Sequence, residues 1–305
     1  MQKEYNLLKN ILKSKTCPHA FIFYGPEDAG EYEVAIKVAK YLNCKNKQND
    51  NFCDECDQCR MINNLSHPDL YIVKQLEGKK EIVDSQIGDA RTEGSLVFNL
   101  INSKLVGEYK ICIIQNIEFL NKFSANNLLK ILEEPPENTI IILISNNLKD
   151  VLETVKSRCC IIKFNILNKN EIFDIIKKQD ELIYILSSNK YNKAKELLDK
   201  DYLDSVINDI KEFLNIIKSL PFERILYIRK ILDNKDKLNY YIYIWETSFK
   251  IILDKNNAMI KNIFSINDIN LSNIEKNIKK LYNINEAKKG NYILKLYLND
   301  FILNL

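Results

Sequence analysis

The sequence predicts an α/β domain followed by an all-helical region, and two observations carry this prediction. Within residues 1–165, short apolar runs alternate with stretches of helical periodicity. From residue 166 onward the chain contains one glycine and one proline, and its apolar residues recur at helical spacing. Continuous apolar strands separated by helices are typical of a parallel sheet that is covered on both faces, so we expect such a sheet in the first part.

The predicted strands are the apolar runs of the first part, and the segments between them are predicted to be helices. Glu33–Leu42 and Ala125–Leu132 are the clearest helical segments. Pro135 and Pro136 end the second of these, because proline cannot continue a helix. In chain order, the strands are predicted at Ala20–Tyr24, Asp69–Leu76, Lys110–Ile114, Thr139–Ser145 and Cys160–Phe164.

Two apolar stripes predict long helices in the second part. The first runs from Leu203 to Ile217, with apolar residues three or four positions apart. Pro221 breaks this pattern, which restarts at Phe222. We interpret both stripes as helix faces that pack into a core.

Composition and charge exclude several classes of protein. A content of 46% hydrophobic and 28% charged residues is typical of a globular protein, and a net charge of +3 is too small for a basic nucleic-acid coat. The N-terminal residues lack the pattern of a secretory signal. The longest strongly apolar run, Ile140–Ile144, is far short of the roughly 20 residues that a membrane span needs. We therefore expect a cytoplasmic protein with reduced thiols and no membrane partner.

Four cysteines form the pattern C-x8-C-x2-C-x2-C over residues 44–59. Where thiols stay reduced, clustered cysteines favour a metal ion over disulfides, and four thiolates can close a tetrahedral zinc shell. The pattern predicts structural zinc with no coordination position left for a catalytic water. The alternatives are an iron–sulfur cluster, whose ferredoxin pattern has its fourth cysteine downstream, and four unrelated cysteines. The predicted ligands are Cys44, Cys53, Cys56 and Cys59.

The segment after the first predicted strand has the placement of a phosphate-binding loop but not its chemistry. Gly25 and Gly30 match the two glycines of the pattern G-x-x-x-x-G-K-[ST]. Glu31 replaces the lysine that meets the β- and γ-phosphates, and Tyr32 replaces the hydroxyl residue that holds Mg²⁺. Carboxylates repel a triphosphate at contact distance, so we expect no ATP in this site.

A second nucleotide-binding determinant is altered as well. The strand predicted at Lys110–Ile114 is followed by Gln115 and Asn116, which are neutral amides. The corresponding strand of a P-loop NTPase ends in acidic residues that organise Mg²⁺. Two separate elements of nucleotide chemistry are therefore missing together.

In combination, these motifs resemble the bacterial clamp-loader AAA+ ATPases. The cysteine pattern lies between the altered loop and His67-Pro68-Asp69, residues 110–136 read KICIIQNIEFLNKFSANNLLKILEEPP, and Ser157-Arg158-Cys159 follows the fourth strand. The resemblance is close over residues about 17–165, whereas the remainder is compatible in length and helicity only. Within this family, the altered motifs are similar to the subunit that does not hydrolyse ATP rather than to the ATP-hydrolysing gamma/tau subunit.

The resemblance implies a three-part layout and a set of partners. A RecA-like AAA+ module with an inserted zinc module would span residues 1–165, a helical lid residues 166–200, and a helical collar for oligomerisation residues 201–305. The implied partners are the gamma/tau and delta clamp-loader subunits, with the sliding clamp and primer-template DNA contacted through the assembled complex. The chain would then have no activity of its own within the DNA polymerase III holoenzyme.

The resemblance also gives Arg158 a role. The arginine of the clamp-loader Ser-Arg-Cys motif is similar to an arginine finger, which acts in the nucleotide site of a neighbouring subunit. A planar guanidinium can pair with two phosphate oxygens at once. The alternative is an ordinary surface arginine. Glu133 and Glu134 are expected to cap a helix or to pair at a subunit interface.

Two other functions remain open from the sequence alone. One is an active clamp-loader ATPase of the gamma/tau type, against which Glu31, Tyr32 and Gln115 count. The other is a stand-alone zinc or nucleic-acid adaptor, against which the near-neutral charge counts.

Overall fold

The computed structural model describes residues 1–76, 81–102, 105–254, 257–264, 274–287, 294–303 and 305. These residues divide into two compact units, which are Met1–Glu171 with Asn189–Tyr191, and Ile172–Ser188 with Asn192–Leu305. No helix within the described ranges is both long and apolar enough to span a membrane. The further division of the helical part into a lid and a collar stays a prediction.

The first unit is built on a parallel sheet. Its strands, within the described residues, are β1 (Ala20–Tyr24), β2 (Leu70–Val73), β3 (Lys110–Ile114), β4 (Thr139–Ser145) and β5 (Cys160–Lys163). They lie in the order β2-β3-β4-β1-β5, and every neighbouring pair is parallel. The helices around them are α1 (Gln2–Leu12), α2 (Glu31–Asn43), α3 (Asp57–Asn63), α4 (Asp84–Ile87), α5 (Leu96–Asn102), α6 (Lys122–Glu133) and α7 (Glu153–Lys156).

Both faces of the sheet are covered, which explains why its strands are apolar throughout. Alternate residues of β1 enter two different core clusters, with Phe21 and Phe23 on one face and Ala20 and Ile22 on the other. All seven residues of β4 are buried. The predicted fold class, a RecA-like α/β module with a parallel five-stranded sheet followed by helices, is confirmed.

Local sequence features set the ends of the main helices. The Asn121 side chain accepts a hydrogen bond from the Ser124 N–H at 2.8 Å and so caps α6, which ends just before Pro135. Asp199 caps the next long helix in the same way, with 2.9 Å to the Tyr202 N–H. Pro221 occupies the first position of a further helix, where its missing N–H costs no hydrogen bond.

The helical part follows β5 and carries its own core. Phe213 and Trp245 lie at its centre, with ring centroids 5.9 Å apart, and Phe301 packs against Trp245 at 5.1 Å. Its described helices are α8 (Lys169–Ile176), α9 (Glu181–Ser187), α10 (Tyr191–Glu196), α11 (Lys200–Lys218), α12 (Pro221–Asp233), α13 (Leu238–Leu253), α14 (Ala258–Phe264), α15 (Ile274–Ala287) and α16 (Leu294–Leu303).

Candidate functional site

The four predicted ligand cysteines lie together at the C-terminal end of α2. Cys44 follows the last residue of this helix, and Cys59 lies within α3. All four thiol sulfurs lie within 4.8 Å of one another, and the Cys44 and Cys53 sulfurs are 3.6 Å apart. Sulfurs bound to one tetrahedral ion at about 2.3 Å would lie about 3.8 Å apart. The cluster therefore has the ligand number and the spacing of a site for a metal ion such as zinc.

Backbone N–H groups point at the sulfurs of this cluster. The Cys53 N–H donates to the Cys44 sulfur and the Cys56 N–H to the Cys53 sulfur, each at 3.3 Å. Burial opposes ionisation of the Cys56 thiol, but hydrogen bonds from the Cys59 and Lys45 N–H groups outweigh it and lower its pKa to about 6. Burial instead raises the pKa of the Cys44 and Cys59 thiols, so these two would release their protons on binding a metal, which makes binding dependent on pH.

The loop that carries the cysteines is fastened to α1 and α2. The Lys40 ammonium lies 2.5 Å from an Asp54 carboxylate oxygen and 4.1 Å from the centre of the Phe52 ring. The Tyr5 hydroxyl donates to the Asn51 side chain at 2.6 Å. Asp54 itself has a φ of 61°, a left-handed conformation that Asp tolerates better than most residues. Side-chain contacts thus hold the loop in addition to the proposed ligands.

A buried polar network joins the cysteine loop to the segment before β3. His67 accepts a hydrogen bond at Nδ1 from the Asp69 N–H at 3.0 Å, so its Nε2 carries the proton and donates to the Gln58 side chain. The Asp69 carboxylate accepts from the Val106 and Gly107 N–H groups at 2.7 and 2.6 Å. His67 is therefore bonded within the fold and is not among the metal-site ligands.

Asn43 and Gln58 belong to this region, and the sequence analysis did not single them out. The Asn43 side chain accepts from the N–H groups of Glu108 and Tyr109 at 2.8 and 2.9 Å and donates to the Tyr109 carbonyl at 3.0 Å. These partners are 65 and 66 residues away along the chain. A single sequence carries no sign of such pairings, although both residues adjoin predicted ligands.

The altered phosphate loop lies at the other end of α2. Gly30 precedes the helix with a φ of 94°, and Asp28 has a φ of 65°. The Glu31 side chain is buried, at 4% exposure. Burial raises the pKa of its carboxyl to about 7, against the opposing effect of hydrogen bonds from the N–H groups of Glu31 itself and Ala29. No lysine follows Gly30, and the buried Glu31 carboxyl lies at this position instead.

Gln115 and Asn116, which are neutral amides, follow β3 at the position where a P-loop NTPase has acidic residues that organise Mg²⁺. Asn116 follows β3 with a φ of 54°, and its side-chain oxygen accepts from the Asn146 amide at 3.2 Å. The Ser145 hydroxyl, at the end of β4, accepts from the Asn147 N–H at 3.2 Å. The Glu118 carboxylate, three residues further along the chain than Gln115, accepts from the Asn146 N–H at 3.3 Å, so this edge of the sheet carries contacts of amide, hydroxyl and carboxylate groups.

Arg158 lies between α7 and β5, and its guanidinium is partly exposed. One nitrogen forms an ion pair with a Glu133 carboxylate oxygen at 2.6 Å. Another donates to the Thr154 carbonyl at 3.0 Å and to the Ser157 hydroxyl at 3.2 Å. The side chain remains 35% exposed. Glu133, expected to cap a helix or pair at an interface, pairs within the chain with Arg158.

Comparisons with known proteins agree on one family. A family model described as DNA polymerase III, delta subunit, matches residues 1–168. The chain is 25% identical to the DNA polymerase III subunit delta' of Buchnera aphidicola subsp. Schizaphis graminum, over 99% of this chain and 85% of that relative. It is 33% identical to the subunit delta' of Pseudomonas aeruginosa, over 46% of this chain and 41% of that relative.

Similarity extends to the gamma subunits and to a solved structure. The chain is 27% identical to the DNA polymerase III subunit gamma of Buchnera aphidicola subsp. Baizongia pistaciae, over 89% of this chain and 74% of that relative. A crystal structure of a gamma subunit-related protein from Thermotoga maritima matches with a TM-score of 0.57 at 21% identity, covering 98% of this chain and 97% of that chain. This structural similarity supports the fold.

Proposed function

The chain belongs to the delta-prime family of DNA polymerase III clamp-loader subunits, and from that premise we propose that it is a member that does not hydrolyse ATP. In this proposal its own nucleotide site is inactive, its cysteine cluster holds structural zinc, and Arg158 serves the site of a neighbouring subunit.

The environment of Glu31 is the observation that carries the proposal. A P-loop lysine neutralises the β- and γ-phosphates, and here a buried carboxyl lies at the start of the helix instead. The positive end of the helix dipole amounts to about half a unit charge, which does not replace a lysine. With Tyr32 in the Mg²⁺-ligand position and Gln115 after β3, the site lacks the groups that bind and polarise a triphosphate.

Arg158 has the chemistry and the placement for action on another subunit. Its guanidinium is partly exposed, planar and permanently charged, so it can pair with two oxygens of a γ-phosphate. In this chain the group pairs with Glu133, an exposed ion pair of the kind worth at most about 1 kcal/mol. A triphosphate of higher charge can therefore displace Glu133 from it.

The cysteine cluster supports a structural role for zinc. Cys44, Cys53, Cys56 and Cys59 supply four thiolates at tetrahedral spacing, so no coordination position remains for substrate or water. When bound, zinc would cross-link a loop that has few apolar residues of its own. The ion acts here by holding that loop and takes part in no reaction.

The proposed partners are the gamma/tau and delta subunits of the clamp loader. The similarity to subunits named delta', gamma and tau supports membership of one assembly. Contact with the sliding clamp and with primer-template DNA would then take place through the assembled complex. The small net charge fits a chain whose main partners are other proteins.

Reconstitution with purified gamma/tau and delta subunits tests this function. We expect the chain to enter the complex and Arg158→Ala to do so as well, with DNA-stimulated ATP hydrolysis lost at the neighbouring site by roughly 10³-fold or more. Arg158→Lys should not restore it, because an ammonium lacks the two-pronged geometry. Glu133→Gln is the matched control, since it removes the partner of Arg158 and leaves the guanidinium in place.

The outcomes separate the proposed function from its rivals. Unchanged hydrolysis in the Arg158→Ala complex would contradict the arginine role. Failure of the chain to join the complex would contradict the clamp-loader role and favour a stand-alone adaptor. ATP binding to the isolated chain would instead favour an active ATPase of the gamma/tau type.

A further inference from the structure

The Glu31 carboxyl lies inside the loop that a phosphate would occupy. A methyl carbon added to Gly25 would come within 2.8 Å of the Glu31 Oε1 atom and within 2.8 Å of the Phe164 carbonyl oxygen. The carboxyl is therefore in close contact with the first glycine of the loop. The close approach is possible because Gly25 has no side chain.

The groups that would bind an anion are directed at this carboxyl. It lies at the N-terminus of α2, a helix of 13 residues, where unpaired N–H groups and the helix dipole favour negative charge. The N–H groups of Glu31 and Ala29 favour the charged form of this carboxyl, although burial outweighs them and raises its pKa. Its Oε1 atom is fully buried and has no hydrogen-bond partner among the residues that the structure describes. This buried, unpartnered oxygen shows that the side chain is turned into the loop rather than toward water.

Further contacts hold the loop in this conformation. The Asp28 carbonyl accepts a hydrogen bond from the Tyr191 N–H at 2.9 Å, and Lys190 pairs with Glu27 at 3.0 Å. Neither contact uses the Glu31 carboxyl. The frame of the loop is therefore fixed by bonds that a change at Glu31 leaves in place.

We propose that the Glu31 carboxyl is an internal occupant of a preserved anion cradle, and that this side chain closes the cradle to polyphosphates. The backbone of residues 25–31 remains competent to bind a phosphate chain once the carboxyl is withdrawn. This inference rests on the proposed function in one respect, namely that the natural chain binds no nucleotide at this loop. The new element is that the phosphate-binding position is still present and is filled by the Glu31 side chain.

Occupation and simple charge repulsion predict different behaviour for two substitutions. Glu31→Gln removes the charge but leaves a side chain of the same size in the cradle. Glu31→Ala removes both the charge and the occupant. If Glu31 acts by filling the cradle, the amide keeps it closed and alanine opens it. If it acts only by repulsion, both substitutions open it equally.

Titration calorimetry with sodium tripolyphosphate on the full-length chain tests the proposal. We expect no binding by the natural chain or by Glu31→Gln, and binding by Glu31→Ala at least about tenfold tighter than by Glu31→Gln. Glu31→Lys should bind tighter still, because it adds a cation as well as removing the carboxyl. Glu33→Ala is the matched control, since it removes a carboxylate from the same helical turn but not from the cradle. Thermal melting of each variant confirms that it is folded, and Glu31→Gly, which also removes the side chain without adding a cation, provides a second open variant should Glu31→Ala unfold.

Each result decides the matter. Binding by Glu31→Ala or Glu31→Gly, without binding by Glu31→Gln, supports the occupied cradle. Equal binding by Glu31→Gln and Glu31→Ala, or no binding by any folded variant, overturns it and leaves the proposed function untouched. Binding of tripolyphosphate by the natural chain would overturn both this inference and the proposed loss of nucleotide binding.

Discussion

The two ends of helix α2 show opposite relations between backbone and side-chain chemistry. At the N-terminal end, the loop of residues 25–30 has the placement of a phosphate-binding loop and positive φ values at Asp28 and Gly30, but Glu31 stands where that pattern has a lysine. At the C-terminal end, the cysteine loop of residues 44–59 has all four ligands, with their sulfurs within 4.8 Å. Similar placement of a loop therefore does not by itself establish that the loop binds the same ligand.

The difference also shows two ways in which a loop can be held. The N-terminal loop is held by contacts within the protein, among them the Tyr191 N–H to the Asp28 carbonyl. The C-terminal loop places four thiols together, an arrangement whose most favourable completion is a metal ion. We therefore expect the C-terminal end of α2 to depend on an external ligand and the N-terminal end to be independent of one.

The largest expected effect follows from removal of one ligand at the C-terminal end. Cys59 is fully buried, so Cys59→Ser should lose the metal and lower the free energy of unfolding by more than about 4 kcal/mol. Metal analysis and chemical denaturation measure the two effects. Cys160→Ser, a thiol outside the cluster, is the control and should keep the metal. If Cys59→Ser were as stable as the natural chain, the C-terminal end of α2 would not depend on a bound metal, and the expected difference between the two ends of this helix would be wrong.

A smaller effect is expected from Asn43, the last residue of α2. Asn43→Ala removes three hydrogen bonds from a buried amide and should lower the free energy of unfolding by about 2 to 3 kcal/mol. Because Asn43 is not a ligand, the metal content should stay at one ion per chain. Loss of the metal in this variant would show that the polar network and the cluster form one unit.

Substitution of Glu31 should change the free energy of unfolding by an amount similar to Asn43→Ala, but only above about pH 4.5. Its pKa is about 7 in the folded chain against an ordinary 4.5, so the folded state holds the proton longer than the unfolded state. Stability of the natural chain should therefore fall as the pH rises from about 4.5 to 7. At pH 8, Glu31→Gln should be more stable than the natural chain by up to about 3 kcal/mol, with no advantage below about pH 4.5.

Denaturation curves across this range check the Glu31 prediction. Glu33→Gln provides the control for loss of one carboxylate from the same turn. Parallel stability profiles for the natural chain and Glu31→Gln would contradict the buried position of the carboxyl.

The smallest effect is expected at the ion pair between Glu27 and Lys190. The Glu27 side chain is 73% exposed, so screening by water leaves little net energy in this contact. Glu27→Gln should change the free energy of unfolding by less than about 1 kcal/mol. A larger loss in thermal melting would mean that this pair, rather than the backbone contact of Asp28, holds the loop.

Apolar runs predicted the sheet well because each strand is buried on both faces. Four of the five predicted strands agree with the structure to within one residue, but the second, expected at 69–76, is confined to Leu70–Val73. Asp69 instead uses its carboxylate to bind the N–H groups of Val106 and Gly107. The α1 helix precedes the first predicted strand and was not predicted, and the bounds of α4 and α5 within their predicted helical segment were not given.

The chemistry of the candidate sites was predictable to different degrees. Cysteine spacing alone indicated the cluster, since two residues between ligands allow one turn to direct both sulfurs at one ion. The inward position of the Glu31 carboxyl and the pairing of Arg158 with Glu133 were not predictable. Both depend on which groups the fold brings together, over distances such as the 25 residues between Glu133 and Arg158.

Native mass spectrometry of the intact chain in the presence of MgATP tests the central claim most directly, because one spectrum reports both ends of α2. The account predicts one zinc ion per chain, held by the four thiolates, and no bound nucleotide. A chain that carries ATP at a stoichiometric level, or one that carries no zinc, would contradict it.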